Sequence, residues 1–99
     1  EAHERPEAVF VASDVQALGA LCAMQDAGLS APTDMAVVGF DDIKVSAYAR
    51  LTTLRQPMYE MGTLAVKRLL AHLADAELPA QRHLFVPEIV CRASSSAFA

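Results

Sequence analysis

Hydrophobic and polar residues alternate in blocks along the chain, and the first blocks predict a β–α–β unit. Residues 8–12 form a continuous apolar run, typical of a strand covered on both faces. A helix should follow, beginning at a capping box of Ser13 and Gln16 and ending at Gly28, a residue that readily takes left-handed backbone. A second apolar run, residues 35–40, predicts a strand parallel to the first, because strand–helix–strand units form right-handed crossovers.

The pattern changes in the second half of the chain. Residues 43–50 are expected to form one or two helical turns, and the threonine-rich residues 51–55 a third strand. Pro57 suits the first position of a long helix that should end by Asp75, ahead of Pro79. Two further strand candidates and a tail expected to fray complete the prediction: residues 83–86, 88–92 and 94–96.

The first predicted helix, residues 15–27, is apolar nearly all round, whereas a surface helix normally shows one apolar stripe. One apolar side of this helix can pack on the sheet, and the opposite apolar side must be buried against something else. A homodimer partner is the simplest candidate. The hydrophobic fraction of 54%, against about 45–50% in an ordinary globular chain, also suggests surface hidden by something outside this chain, either missing sequence or a partner subunit.

Charge and cysteine content narrow the function classes. The formal net charge is −4 and no basic stripe is present, so this stretch is not expected to contact nucleic acid. Cys22 and Cys91 lack the spacing of a disulfide framework or a zinc site, which predicts two core thiols in a reducing, cytoplasmic compartment. No apolar run approaches the roughly 20 residues of a membrane span.

Enzymatic motifs are not found in the sequence. It contains no GxSxG elbow, no P-loop and no GxGxxG. Asp14, Asp41 and Asp42 could hold Mg²⁺ in a phosphate-handling α/β enzyme, but no lysine or glycine-rich loop accompanies them. We therefore expect a protein that is not an enzyme, with no catalytic residue, no metal ligand and no cofactor.

Polar residues follow each predicted strand. Ser13 and Asp14 end the first strand, Asp41 and Asp42 end the second, and Gln56 follows the third. Parallel α/β sheets bind ligands at the carboxyl ends of their strands, so these side chains should face one cleft. Carboxylates, a hydroxyl and an amide suit a neutral sugar-like ligand, with Asp41 the best candidate. The alternatives are helix capping by Ser13 and Asp14 and a solvated turn role for Asp42.

A resemblance to a known family rests on three segments that occur in order: VFVASDVQALGALCAMQDAGLSAPTDMAVVGFDD, LTTLRQPMYEMGTLAVKRLL and VPEIVCRASS. Together they resemble the C-terminal part of LacI/GalR-family transcriptional regulators. The resemblance implies an α/β, periplasmic binding protein-like (type I) fold, in which two subdomains with parallel sheets flanked by helices enclose a cleft. One departure is the direct junction of Arg50 and Leu51, where the family usually has two further residues, commonly prolines.

The resemblance also implies roles for individual residues. Asp41, in GFDD, matches the family's main polar anchor for the effector, and Ser13 stands where the family often has a ligand-contacting Asn. Gln56, in RQP, matches a ligand-contacting Gln of the sugar-binding proteins. The helix of residues 15–27 resembles part of the family's dimer surface, and we assign three of its residues to the dimer interface: Leu18, Leu21 and Cys22.

The implied organisation divides the chain unevenly. Residues 1–55 would be a partial C-terminal effector subdomain, residues 56–87 a segment of the N-terminal subdomain, and residues 88–99 a returning strand and tail. We therefore expect the ligand-sensing part of a cytoplasmic, homodimeric LacI-type regulator that responds to a sugar or related metabolite and contacts DNA through a headpiece absent from this chain. The alternatives are a periplasmic sugar-binding protein of a transporter and, less favoured, the phosphate-handling enzyme.

Overall fold

The structure of the chain, a computed structural model, describes residues 4–96. The chain divides into two compact units. The first comprises Glu1–Arg55 and Glu88–Ala99, of which residues 4–55 and 88–96 are described, and the second is Gln56–Pro87. That these units are parts of two effector subdomains stays a prediction.

Four short strands and three helices make up the described secondary structure. Their order is β1 (Ala8–Phe10), α1 (Asp14–Asp26), β2 (Ala36–Val38), α2 (Lys44–Tyr48), β3 (Thr53–Arg55), α3 (Met58–Ala74) and β4 (Glu88–Val90). β1 and β2 pair in parallel, with Ala8 opposite Ala36 and Phe10 opposite Val38. The predicted α/β class with a parallel β–α–β unit is therefore confirmed.

The β1–β2 ladder continues into β3 and β4. Val38 bridges Thr52 in parallel, and the N–H of Gly39 donates to the carbonyl of Thr52 at 2.9 Å. β3 then pairs antiparallel with β4, which places Arg55 opposite Glu88. The order of neighbours across the first unit is thus β1, β2, β3, β4, so the carboxyl ends of β1, β2 and β3 lie at one edge.

Local sequence signals explain both ends of α1. Ser13 has extended backbone and is the N-cap, and its Oγ accepts the N–H of Gln16 at 3.3 Å. At the other end Gly28 has φ +76°, the N–H of Leu29 donates to the carbonyl of Met24 at 2.8 Å, and the N–H of Gly28 donates to Gln25 at 3.0 Å. These bonds form a Schellman motif, which needs left-handed backbone at the glycine.

The hydrophobic core lies in the first unit, where α1 packs on β2. Its buried members are Ala17, Met24, Val37 and Leu51, and half-buried apolar residues surround them. Complete burial of a side chain such as Val37 or Leu51 stabilises the fold by about 1.5–3 kcal/mol. α1 uses one face for this core, while Val15 on another face is 68% exposed.

The turn between α2 and β3 repeats the Schellman pattern with an arginine in the glycine position. Arg50 has φ +56°, and the N–H of Leu51 donates to the carbonyl of Ser46 at 2.9 Å. The direct junction of Arg50 and Leu51 is therefore a closed helix end that leads into the buried Leu51.

Ser94 bridges β2 and the residue before β3 through hydrogen bonds. It is 4% exposed, its Oγ donates to the carbonyl of Val37 at 2.6 Å, and the same Oγ accepts the N–H of Thr52 at 2.8 Å. Its own carbonyl accepts the N–H of Val37 at 3.0 Å. The expectation of a frayed tail at residues 94–96 is therefore wrong for Ser94, because its hydroxyl satisfies buried backbone groups.

The second unit contains α3 and the segment after it. Pro57 is the N-cap of α3 and Asp75 its C-cap, close to the predicted bounds. None of its described residues is buried, and Leu69, Leu70 and Leu73 are exposed. Residues 83–86 were expected to form a strand but are not one, because no ladder partner lies beside them in the described part of the chain.

Both cysteines are exposed, so the prediction of core thiols is wrong. The reason for Cys22 is its position on α1. At 100° per residue it lies about 140° around the helix from Ala17, which faces the core. Cys91 directly follows the edge strand β4.

Candidate functional site

The peptide groups that adjoin Ser13 and Asp41 are hydrogen-bonded to each other at the carboxyl ends of β1 and β2. The N–H of Val11 donates to the carbonyl of Val38 at 2.8 Å, and further along, the N–H of Asp14 donates to the carbonyl of Phe40 at 3.1 Å. The peptide between residues 13 and 14 therefore pairs with the peptide between residues 40 and 41. The structure brings the two candidate residues to one sheet edge, on neighbouring parallel strands.

Ser13 acts as a helix cap in this structure. Its Oγ accepts from Gln16, as the capping alternative predicted, and the residue is half-buried. A serine hydroxyl has two lone pairs and one donor hydrogen, so this bond leaves the donor for another partner. A contact with ligand stays a prediction for Ser13.

Asp14 is fully buried, and its carboxylate receives hydrogen bonds from three donors in α2, its N-cap and β3. Its Oδ2 accepts the N–H of Ile43 at 3.0 Å and the hydroxyl of Ser46 at 2.5 Å. Its Oδ1 accepts the hydroxyl of Thr53 at 2.6 Å. The carboxylate thus connects the start of α1 with α2 and β3. The expectation that Asp14 faces the ligand cleft is wrong, because its carboxylate is buried among these donors, and the alternative of helix capping is fulfilled by Ser13 instead.

The hydrogen bonds at Asp14 decide its ionisation. Burial alone would raise the pKa of this carboxyl, because a charged group is disfavoured away from water. The hydroxyls of Ser46 and Thr53, followed by the backbone N–H groups of Ile43 and Asp42, outweigh burial and lower the pKa of Asp14 below its ordinary value of 3.8. Asp14 is therefore a buried carboxylate at neutral pH.

Gly39 makes room for this carboxylate. A Cβ at position 39 would collide with Oδ1 of Asp14 and would stand 3.1 Å from Leu51 and 3.3 Å from Ala17. Glycine inside a strand often marks such a close approach. Gly39 interrupts the second apolar run, so this signal was present in the sequence although its partner was not identifiable there.

The backbone at Asp41 and Asp42 is left-handed at two consecutive residues, with φ of +127° and +56°. Such conformations cost about 1–3 kcal/mol each for residues other than glycine and persist where the surroundings enforce them. Here the N–H of Asp41 donates to the carbonyl of Leu54 at 2.9 Å, and the N–H of Asp42 donates to Oγ1 of Thr53 at 3.2 Å. The turn that carries Asp41 is therefore held by β3.

Asp42 is engaged by two arginines. Its Oδ2 accepts Nε of Arg55 at 2.7 Å and its Oδ1 lies 3.1 Å from Nη1 of Arg92, with the side chain of Asp42 only 10% exposed. Burial would raise the pKa of Asp42, but the hydrogen bonds and positive charges of both arginines lower it. The expectation of a solvated turn residue is therefore wrong, because β3–β4 pairing brings the two arginines together beside Asp42.

Two aromatic rings lie next to the candidate residues. The rings of Phe10 and Phe40 pack edge to face, with centroids 6.4 Å apart and planes at 87°. Phe10 ends β1 and is 61% exposed, and Phe40 directly precedes Asp41. The edge therefore offers an apolar surface beside a carboxylate.

The remaining candidate residues lie elsewhere. Gln56 is the first residue of the second unit, and its carbonyl accepts the N–H of Met58 at 2.8 Å. On α1, Leu18 and Leu21 are half-buried against the core, and Cys22 is exposed. The roles assigned to these four residues stay predictions.

Sequence reasoning missed the partners that hold the site together. Ser46, Thr53, Arg92 and Ser94 carry no motif, and their bonds reach across 32 to 57 positions of sequence. Within residues 4–96, no group of three or more His, Cys, Asp or Glu side chains is arranged to hold a metal ion, and no helix has the length and apolarity needed to cross a membrane.

Comparison with known proteins gives one family throughout. The profile of the periplasmic binding protein-like domain matches residues 1–95. The transcriptional regulator MalR of Streptomyces coelicolor is 42% identical over 92 residues, which cover 91% of this chain and 27% of MalR. The repressor PurR of Aliivibrio fischeri is 39% identical over 98 residues, covering 97% of this chain and 29% of PurR. The chain thus spans little more than a quarter of these curated relatives, which are regulators rather than enzymes.

Solved structures agree with the sequence relatives. The chain superposes on the transcriptional regulator CelR in complex with cellobiose with a TM-score of 0.83, at 31% identity over 90% of this chain and 28% of that one. A LacI family regulator from Lactobacillus casei with bound glucose gives a TM-score of 0.75 at 33% identity, over 92% of this chain and 33% of that one. The resemblance to the C-terminal part of LacI-type effector-binding domains is confirmed.

Proposed function

This chain belongs to the family of periplasmic binding protein-like domains, and from that membership we propose that it senses a neutral sugar or related polyol as part of a LacI-type transcriptional regulator. Its role is binding, with no catalytic step and no cofactor. The observation that carries the proposal is the pairing of the peptides that bear Ser13 and Asp41 at one sheet edge. Regulators similar to this chain hold cellobiose or glucose in their structures.

The chemistry of the edge favours a neutral ligand. Asp41 would accept hydrogen bonds from sugar hydroxyls, each contributing about 1.5–3 kcal/mol because the acceptor is charged. The exposed ring of Phe10 offers an apolar surface for the C–H face of a pyranose. An anionic ligand would meet the carboxylate of Asp41, while Arg55 and Arg92 are engaged with Asp42. Ser13 and Gln56 would add polar contacts.

Binding would be transmitted by closure of the cleft between two effector subdomains. We assign residues 1–55 to the C-terminal subdomain, residues 56–87 to the N-terminal one, and residues 88–99 to a returning strand and tail. A sugar that binds the closed form more tightly shifts the population towards it, and this differential affinity is the coupling to DNA. DNA itself would be contacted by a headpiece outside this chain, in the cytoplasm.

Substitution of Asp41 tests the site. In the full-length protein, Asp41→Asn should weaken binding of the best sugar among glucose, sucrose and cellobiose about 10- to 100-fold by isothermal titration calorimetry, because a charge-assisted bond is lost. The control is Asp26→Asn, an exposed aspartate at the end of α1. Unchanged affinity in Asp41→Asn, or no binding of any of the sugars by the unaltered protein, would overturn the proposal.

We further propose that α1 contributes to a homodimer through Leu18, Leu21 and Cys22. Because both leucines also pack on the core, Cys22→Glu is the cleaner test. It should convert a dimer to a monomer in sedimentation velocity, since a charge in an apolar interface is left unpaired. Cys91→Glu alters the other exposed thiol and should leave the dimer intact. Equal sedimentation of both variants would exclude this face.

A further inference from the structure

We infer that Asp14 is a positioning residue for the ligand site: its buried carboxylate holds the turn of residues 41–43 and so determines where the side chain of Asp41 leaves the backbone. The inference rests on the proposed function of Asp41. Asp14 itself is fully buried, so it would act through Asp41 and not by contact with the ligand.

The contacts of Asp14 converge on this turn. Oδ2 accepts the N–H of Ile43 directly, at 3.0 Å. Oδ1 accepts the hydroxyl of Thr53 at 2.6 Å, and that hydroxyl oxygen in turn accepts the N–H of Asp42 at 3.2 Å. Two of the three N–H groups of residues 41–43 therefore depend on Asp14, one directly and one through Thr53.

The turn needs this support because its backbone is unfavourable. Asp41 has φ +127°, a region that residues other than glycine rarely occupy. The N–H of Asp41 donates to the carbonyl of Leu54. The N–H of Asp42 donates to Thr53, and the N–H of Ile43 donates to Asp14. Without the carboxylate, the turn could relax towards ordinary dihedral angles and carry Asp41 away from the peptide of Ser13.

A purely local role does not explain a buried carboxylate at this position. The N-cap of α1 is already supplied by Ser13, so Asp14 is not needed to begin the helix. Burying a carboxylate is costly unless donors surround it, and three donors meet this one: Ile43 N–H, Ser46 Oγ and Thr53 Oγ1. Asparagine has the same shape but offers one acceptor oxygen in place of two, and its amide nitrogen would oppose the N–H of Ile43 or require a hydroxyl to turn round and accept.

The first arm of the test needs no ligand. Hydrogen exchange of the full-length protein should show the amides of Asp42 and Ile43 exchanging about 10-fold faster or more in Asp14→Asn, because the single acceptor oxygen of asparagine cannot satisfy both Ile43 and Thr53, whose hydroxyl oxygen accepts the N–H of Asp42. The control is Gly28→Ala, which strains the other end of α1 and destabilises the unit without touching the turn. A uniform increase across the unit in Asp14→Asn, or no change at residues 42 and 43, would overturn the inference. Ser46→Ala removes one bond and gives a milder form if Asp14→Asn fails to fold.

The second arm asks whether Asp14 acts through Asp41. Affinities for glucose, sucrose and cellobiose are measured in Asp14→Asn, Asp41→Asn and the double variant. Asp14→Asn should weaken binding about 10-fold or more alone and add nothing in the Asp41→Asn background, since the same contact is already lost. Additive losses would overturn the inference. If the unaltered protein binds none of the sugars, the proposed function fails, and the exchange arm still decides whether Asp14 holds the turn.

Discussion

Replacing Gly39 with alanine adds one methyl group where the first unit has no space for it. The new Cβ would collide with Oδ1 of Asp14 and would stand 3.1 Å from Leu51 and 3.3 Å from Ala17. None of these three neighbours can withdraw easily. Leu51 and Ala17 belong to the buried core, and the carboxylate is held by hydrogen bonds from Ile43 and other donors.

The expected cost follows from these contacts. Overfilling a packed interior costs about 1–3 kcal/mol, and displacing a carboxylate from one of its donors adds about 1.5–3 kcal/mol. The Gly39→Ala protein should therefore lose about 2.5–6 kcal/mol of unfolding free energy, a large share of the ~5–15 kcal/mol of an ordinary domain.

Urea unfolding followed by far-ultraviolet circular dichroism measures this loss. The matched control is Gly19→Ala, where nothing lies within 4 Å of the added Cβ. That variant should gain about 0.5–1 kcal/mol, because alanine loses less backbone entropy in a helix. In an Asp14→Ala background the penalty of Gly39→Ala should shrink, since the obstructing oxygen is gone. Equal midpoints for Gly39→Ala and the unaltered protein would refute the close approach of backbone and carboxylate.

Three further predictions concern stability. The folded-state pKa of Asp14 lies below its ordinary value of 3.8. Its contribution to stability is therefore present above pH 3.8 and is lost as the pH falls through the lowered pKa. Asp14→Asn should flatten this part of the plot of unfolding free energy against pH. Ser94→Ala should cost about 2–4 kcal/mol in urea unfolding, because two buried backbone groups lose their partner, while the exposed Ser30→Ala should change it by under about 0.5 kcal/mol. Arg50→Gly should raise the thermal midpoint, contributing up to about 1 kcal/mol by relieving a left-handed residue, and an unchanged or lower midpoint would contradict that reading.

Sequence reasoning succeeded where a feature is encoded locally. The cap at Ser13 and the left-handed Gly28 depend on neighbours within a few residues, so their side-chain types suffice to predict both ends of α1. The parallel pairing of β1 and β2 also follows from a short strand–helix–strand spacing. The shared edge of Ser13 and Asp41 is a direct result of that pairing.

Sequence reasoning failed where the surroundings of a residue come from distant parts of the chain. Asp42 was expected to be solvated, but β4 returns from beyond residue 87 and brings Arg92 against it. Residues 83–86 have the composition of a strand, yet a strand exists only beside a partner. The contacts of Asp14 belong to the same class, since Ser46 and Thr53 lie 32 and 39 positions away.

The first unit is assembled from two stretches of chain that are separated by residues 56–87. During synthesis the ribosome releases residues 4–55 first, yet Val37 and Thr52 obtain their partner only when Ser94 emerges. Until then the carbonyl of Val37 and the N–H of Thr52 stay exposed to water and to other chains, even where β2 and β3 meet at Val38 and Thr52. Nascent chains that stop at Pro87 should therefore stay sensitive to protease, and resistance should appear once residues 88–96 have cleared the exit tunnel.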